Sequence, residues 1–157
     1  MRLSFWCALF FSAAMLIVSC KSSRKSRTDP ADVLVKTARS YTGVKYMYGG
    51  TSRSGMDCSG LLMRSFEAID MPIPRTSAEQ SKTGQGVSVK KLKKGDLVFF
   101  AAGKKKRKIT HVGLVTDVRG KDDVRFIHAS TKLGVVEANL MSDYYQKIYI
   151  KARRVLD

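Results

Sequence analysis

Histidine and cysteine, the residue types that most often carry proton transfer and nucleophilic attack, are scarce in this chain. Only two histidines and three cysteines occur among its 157 residues. None of them forms the close-spaced ligand pairs that are typical of a zinc site. One Cys with two His stays open as a metal-binding alternative, but the pattern favours catalysis, and we expect no metal.

Acidic residues are also few, with 13 Asp and Glu against 29 Lys and Arg, and the net charge is +16. Such a charge suits nucleic acid, an anionic membrane or an acidic polymer. Much of the excess lies at residues 21–27 and 104–108, without a recognition-helix pattern or interleaved aromatic residues. This arrangement argues against nucleic acid. The two basic runs either contact membrane headgroups and an acidic cell wall or are solvated, flexible lysines.

The first 19 residues combine a basic start, an apolar run and a small residue, Ser19, directly before Cys20. This stretch resembles a bacterial lipoprotein signal, in which I-V-S-C is the lipobox and Cys20 is the acylated first residue of the mature chain. A transmembrane anchor is the alternative, but the run is at the short limit for a span. We therefore expect a signal peptide at 1–19, and a lipidated cysteine with a basic flexible tether at 20–28.

A glycine-rich segment changes at Asp57 and Cys58 into an apolar run with the spacing of one buried helix face. Asp57 is a favoured N-cap residue, which puts Cys58 at the first helical position. Free backbone amides and the helix dipole there favour a thiolate, so we expect a lowered pKa. If Cys7 leaves with the signal and Cys20 is acylated, Cys58 is the only thiol and no intrachain disulfide forms. The alternative is an inert core cysteine.

The remaining pattern places helices before strands in a domain at 29–157. Helices are predicted from Pro30, with Asp29 as the cap, from Cys58, and from a short segment capped by Thr76. Strand-like segments follow at 96–101, 109–117, 124–130, 134–137 and 148–155. Because no strand–helix–strand alternation and no repeat is present, the fold class is α+β with a largely antiparallel sheet.

Both histidines lie in neighbouring predicted strands. A tight turn at Arg119 and Gly120 would place His111 directly opposite His128, with β-carbons about 4.5 to 5.5 Å apart. The two aspartates that follow this turn can lengthen it and shift the register. A single strand histidine is usually structural. Two paired histidines with a helix-start cysteine, however, provide a nucleophile, a base and a group that orients the base.

Several spaced motifs occur in order: G-V-K-Y-M-Y-G-G-T-S-R-S-G-M-D-C-S-G, P-R-T-S-A-E-Q, K-K-G-D-L-V-F-F, T-H-V-G-L-V and F-I-H-A-S. Over nearly all of 29–157 they resemble the NlpC family of bacterial cell-wall cysteine peptidases, and the lipobox makes the chain similar to Spr-type lipoproteins. The resemblance implies a papain-like fold, with the nucleophile at a helix N-terminus. It also implies hydrolysis of peptide bonds in peptidoglycan stem peptides or their cross-links.

The resemblance assigns roles residue by residue. Cys58 is the nucleophile, His111 the base and His128 the residue that orients the base. Tyr46 lies beside the sulfur and helps to hold the oxyanion with the Cys58 amide. Three further positions match residues that line the cleft: Asp57, Ser59 and Arg75. No cofactor is needed, and we expect a monomer that acts on stem peptides.

Two other functions stay open. One is acyl transfer or amidase action on lipids, since related papain-like folds host both. The other is a catalytically silent envelope-binding lipoprotein, against which the intact set of Cys58, His111 and His128 argues. The expected location is the bacterial cell envelope. Ser22 rather than Asp after Lys21 favours the outer membrane, facing the periplasm, if the cell is Gram-negative.

Overall fold

The computed structural model describes residues 28–102 and 108–156. The predicted signal, Cys20, nearly all of the tether and positions 104–107 of the second basic run lie outside the described residues. Lys108, the last residue of that run, is exposed. The signal and the lipid anchor therefore stay predictions from the sequence.

Each predicted helix begins where its capping residue indicated. Helix α1 spans Pro30–Arg39, and the Asp29 carboxylate accepts a bond from the Ala31 amide at 2.9 Å. Helix α2 spans Cys58–Glu67, and the short α3 spans Ser77–Gln80. The longest of these helices have 10 residues, and within the described ranges none is long and apolar enough to cross a membrane.

A short hairpin and a larger sheet form the β-structure. The hairpin joins β1, Thr51–Ser52, to β2, Gly55–Met56. The larger sheet has six strands in the order β3-β8-β4-β5-β6-β7, and neighbouring strands are antiparallel. Its strands are β3 Gln85–Val87, β4 Leu97–Phe100, β5 His111–Val118, β6 Val124–Ser130, β7 Gly134–Asn139 and β8 Tyr149–Arg154. Helix α4, Asp143–Ile148, lies between β7 and β8.

The sheet separates two apolar clusters. Leu97 and Phe99 of β4 face the cluster that contains α1 and α2, whereas Val98 and Phe100 face the opposite cluster. All four of these side chains are fully buried, because β4 is covered on both faces. Cys58 belongs to the helix-side cluster, and Tyr145 of α4 packs against the other.

The predicted α+β class is confirmed, and each predicted strand lies within a few residues of an observed one. Four elements, β1, β2, β3 and α4, were not predicted from the sequence. These elements have two to six residues, which is too short to show a hydrophobic period.

Candidate active site

The start of α2 is held by its capping residue. The Gly60 amide donates to the Asp57 carboxylate at 2.7 Å, as predicted for an N-cap. Gly60 also allows the glycine-rich loop to approach, because a β-carbon there would lie 2.3 Å from the Gly50 carbonyl oxygen. The loop and the helix start therefore pack backbone against backbone around Cys58.

Asp57 is the centre of an ion-paired cluster at this helix start. Arg75 donates to both carboxylate oxygens, at 2.9 and 2.6 Å, and to the Ser59 hydroxyl at 2.9 Å. The Gly49 amide donates to the same carboxylate at 2.9 Å. Burial by itself raises the pKa of Asp57, but the bonds from Arg75 and Gly60 outweigh it and hold that pKa below its ordinary value. Asp57 is therefore a carboxylate at neutral pH.

The Cys58 thiol is buried, with 7% of the residue exposed. Burial raises the pKa of this thiol, and the neighbouring Asp57 carboxylate raises it further. The backbone amides of Val112, Ser59 and Cys58 itself act in the opposite direction without reversing the shift. The expectation of a lowered pKa is therefore wrong. Desolvation and a carboxylate one residue away outweigh the helix start.

His111 and His128 form a hydrogen-bonded pair. Nε2 of His111 lies 2.8 Å from Nδ1 of His128, and the rings meet edge to face at 88° with centroids 4.9 Å apart. Burial lowers the pKa of His111 to about 4. Burial and the neighbouring His111 lower the pKa of His128 to about 3. Both imidazoles are therefore neutral at pH 7, and the ring nitrogens that carry no hydrogen can accept protons.

The register that brings the histidines together differs from the predicted one. Leu114 pairs with Ile127 and Val115 with Phe126, so the same register places Gly113, not His111, opposite His128. The predicted tight turn is wrong because the hairpin loop is longer and is closed by a bond from the Arg119 amide to the Asp123 carbonyl, at 2.9 Å. Next to the loop the register is shifted by three residues, and a bulge between Val115 and Asp117 takes one of them back. The net shift at the histidines is two residues, so His111 stays on the same face and reaches His128 diagonally.

Tyr145 is a site residue that was not predicted from the sequence. Its hydroxyl lies 2.9 Å from Nε2 of His128, on the side opposite His111. Phe126 stacks on the His128 ring at 5.0 Å with an interplanar angle of 24°. Nothing in the sequence marked Tyr145, because it stands on a six-residue helix outside every recognised motif.

Tyr46 precedes the glycine-rich loop and is held by an isolated bridge to Met56. Burial raises the pKa of its hydroxyl, and Cys58 and Asp57 raise it further. Tyr46 is therefore a neutral phenol at neutral pH, able to donate a hydrogen bond.

Tyr46, Cys58, His111 and His128 line one cavity of about 520 Å³, together with Tyr145. The cavity lies where β4 and β6 end and β5 begins, so the cysteine reaches it from the helix side and the histidines from the other side of the sheet. Asp57, Ser59 and Arg75 form their own cluster at the α2 start and do not line this cavity. Within 28–102 and 108–156, no three His, Cys, Asp or Glu side chains group as metal ligands.

Helices packed on an antiparallel sheet, with a helix-start cysteine and paired strand histidines at one cavity, are the arrangement of a papain-like fold. The chain belongs to the NlpC/P60 family, whose sequence model matches residues 43–154. The family indicated by the motifs is thereby confirmed.

Relatives and solved structures agree with this family. The chain is 40% identical over 117 residues to murein DD-endopeptidase MepS/murein LD-carboxypeptidase of Escherichia coli, covering 74% of this chain and 58% of that protein. It is 34% identical over 137 residues to gamma-D-glutamyl-L-lysine dipeptidyl-peptidase of Bacillus cereus, covering 87% of this chain and 40% of that protein. The chain therefore spans less than two thirds of the length of either relative.

The fold is also similar to the crystal structure of an NlpC/P60 family protein from Bacillus cereus. The TM-score is 0.73 at 34% sequence identity, covering 83% of this chain and 42% of that chain. The predicted papain-like fold is confirmed by this similarity together with the family match.

Proposed function

We propose that this protein is a peptidoglycan endopeptidase, a cysteine peptidase that hydrolyses peptide bonds of the cell-wall stem peptide or its cross-links. The observation that carries the proposal is the cavity shared by Cys58 and the bonded pair of His111 and His128. Membership of the NlpC/P60 family and relatives named as murein and glutamyl-lysine peptidases support the substrate class.

His111 acts as the base. Its Nε2 faces His128, so Nδ1 is the nitrogen that accepts the proton of the Cys58 thiol. Because the thiol pKa is raised and the imidazole pKa is lowered, the resting pair is neutral. The proton therefore moves to His111 as the sulfur attacks the carbonyl carbon, and charge appears only when substrate is bound.

The attack produces a tetrahedral intermediate whose oxygen is negative. The backbone amides beside the sulfur, including that of Cys58, and the neutral Tyr46 hydroxyl are donors for this oxyanion. Protonated His111 then gives its proton to the leaving amine, the C–N bond breaks and a thioester remains. A water that loses a proton to His111 attacks the thioester, and the product carboxylate leaves as the thiol is restored.

The cluster of Asp57, Ser59 and Arg75 holds the start of α2 and so positions the nucleophile. Its bonds join the α2 start to Arg75, which lies between α2 and α3. The Arg75 side chain is 36% exposed, so part of the guanidinium is free to meet a carboxylate of the substrate.

We further propose that Cys20 is acylated and that the chain is a lipoprotein of the bacterial cell envelope, held on the periplasmic side of the outer membrane. The sequence I-V-S-C and the basic segment that follows support this anchor. Lipidation would confine the domain to the membrane surface near the wall, where its substrate is abundant.

Incubation of the purified protein with sacculi, followed by mass analysis of the released muropeptides, tests the proposed activity. New stem fragments that are absent with Cys58→Ser support the peptidase. Comparing cross-linked with uncross-linked muropeptides as substrates separates the cross-link bond from the bond between D-glutamate and the diamino acid. Retained sacculus binding without any cleavage would instead support a binding module.

A further inference from the structure

The hydroxyl of Tyr145 is in position to control the protonation of the histidine pair. It lies 2.9 Å from Nε2 of His128, while Nδ1 of the same ring lies 2.8 Å from His111. The three side chains form one hydrogen-bond chain that ends at the cavity. His128 is buried, with 4% of the residue exposed, so its ring nitrogens depend on these two partners.

Aromatic packing holds the rings of Tyr145 and His128 in this hydrogen-bond chain. The Tyr145 ring meets Phe126 edge to face, with centroids 4.8 Å apart, and packs against Phe100 at 5.6 Å. Phe126 in turn stacks on His128. Phe126 can occupy this position because residue 113 is glycine: a β-carbon there would lie 2.5 Å from the Phe126 ring. The tyrosine and the histidine are therefore held by the same aromatic side chain.

The hydrogen bonds between His111, His128 and Tyr145 can run in two directions, and only one of them leaves His111 able to act as a base. If Nδ1 of His111 is to accept the thiol proton, Nε2 must carry the hydrogen and donate it to Nδ1 of His128. Burial keeps His128 neutral, so its single hydrogen then stands on Nε2 and needs an acceptor. Burial also raises the pKa of Tyr145, so its side chain is a neutral hydroxyl that can accept this bond.

We propose that Tyr145 is a positioning residue whose hydroxyl accepts the Nε2–H of His128, and so holds both histidines in the Nε2–H tautomer that leaves Nδ1 of His111 free. The inference rests on the proposed peptidase function, because it concerns the same base. In the opposite direction, Tyr145 donates to His128, His128 donates to His111, and the hydrogen of His111 stands on Nδ1. His111 cannot then accept the thiol proton.

The test is nitrogen-15 NMR of the histidine rings at pH 7 in the wild-type protein and in Tyr145→Phe. The chain has two histidines, so the ring signals are readily assigned. We expect both wild-type rings in the Nε2–H tautomer. In Tyr145→Phe the hydroxyl is lost but the ring remains, so the Nδ1–H tautomer should become populated in both rings. For the loss of one hydrogen bond, kcat for muropeptide cleavage should fall by roughly three- to tenfold, with KM changed less than about twofold.

Tyr149→Phe is the matched control. Tyr149 meets Phe100 edge to face at 6.3 Å, and within the described residues no hydrogen bond joins it to a histidine. The substitution removes a hydroxyl from the same aromatic cluster, so the histidine tautomers and kcat should both stay at wild-type values.

An Nδ1–H tautomer at either wild-type histidine overturns the inference without the need for any variant. Unchanged tautomer populations in folded Tyr145→Phe overturn it as well. If the wild-type protein cleaves no muropeptide, the proposed function fails, while the ring spectra still decide the direction of the hydrogen-bond chain.

Discussion

His111 and His128 are hydrogen-bonded at 2.8 Å although they are not opposite residues of the hairpin formed by β5 and β6. The diagonal contact leaves Gly113 opposite His128, where the missing side chain makes room for Phe126. Phe126 then supports the His128 ring from one face while His111 and Tyr145 contact its edges. The register of the hairpin thus decides how the candidate base is supported.

The candidate catalytic residues should differ in how much activity survives their loss. Cys58→Ser removes the nucleophilic sulfur and should reduce hydrolysis to background. His111→Ala removes the proton acceptor and should lower kcat by roughly 10² to 10⁴-fold. His128→Ala removes only the residue that orients the base. Muropeptide assays should therefore show a measurable residual activity that is higher than that of His111→Ala. Retained turnover in Cys58→Ser would contradict the mechanism, provided that circular dichroism shows all three variants folded.

Loss of Arg75 should destabilise the helix start. Arg75→Met leaves the Asp57 carboxylate, whose side chain is 9% exposed, without its charged partner. Because the guanidinium itself is partly exposed, we expect a loss of about 1 to 3 kcal/mol in the free energy of unfolding, measured with urea. The control is Arg39→Met at the exposed pair with Glu137, where the loss should stay below about 1 kcal/mol. Equal losses at both sites would argue against a structural role for the Asp57 cluster.

Stability should fall in mild acid because of the histidine pair. The unfolded chain protonates its histidines near their ordinary pKa of 6.5, whereas burial holds the folded values at about 4 and about 3. Their contribution is therefore fully present above pH 6.5. It is lost as the pH falls towards 4 for His111 and towards 3 for His128, by up to about 1.4 kcal/mol per pH unit for each histidine. Urea unfolding at several pH values measures this slope. His128→Gln should make it shallower, and an unchanged slope would contradict the pKa directions.

Alkylation of Cys58 should report a raised pKa. In a truncated chain beginning at Thr28, Cys58 is the only cysteine, so the rate reports one site. Burial and Asp57 raise its pKa, so the midpoint of the rate with pH should lie above the ordinary value of about 8.5. Asp57→Asn removes the nearby negative charge and should lower the midpoint. A wild-type rate already at its plateau at neutral pH would show that the helix start outweighs burial.

The lipid anchor should affect location without affecting the chemistry. Cys20→Ala removes the proposed acylation site, so labelled palmitate should no longer enter the protein and the chain should leave the membrane fraction. The variant should still cleave soluble stem peptides at the wild-type rate, because the domain at 29–157 holds the candidate site. Palmitate labelling that persists in Cys20→Ala would contradict the lipobox, and Cys7→Ala serves as the matched control.

The sequence was sufficient wherever local chemistry decides the structure. Asp29, Asp57 and Thr76 cap the helices that they were predicted to cap, because a side-chain oxygen before a helix satisfies free amides within the first turn. Five strands of the main sheet, all except β3, were visible from their apolar runs, and the ordered motifs indicated the family. These features depend on residues close together in the chain.

Only the tertiary structure decided the diagonal contact between the histidines, the place of Tyr145 and the pKa direction of Cys58. The hairpin register depends on a loop whose length the residues at 119–123 left open, and on a bulge between Val115 and Asp117. Tyr145 reaches His128 from a helix 17 residues further along the chain. The thiol pKa is raised because packing removes water from around the sulfur, and burial of this kind arises from the whole fold rather than from the residues beside Cys58.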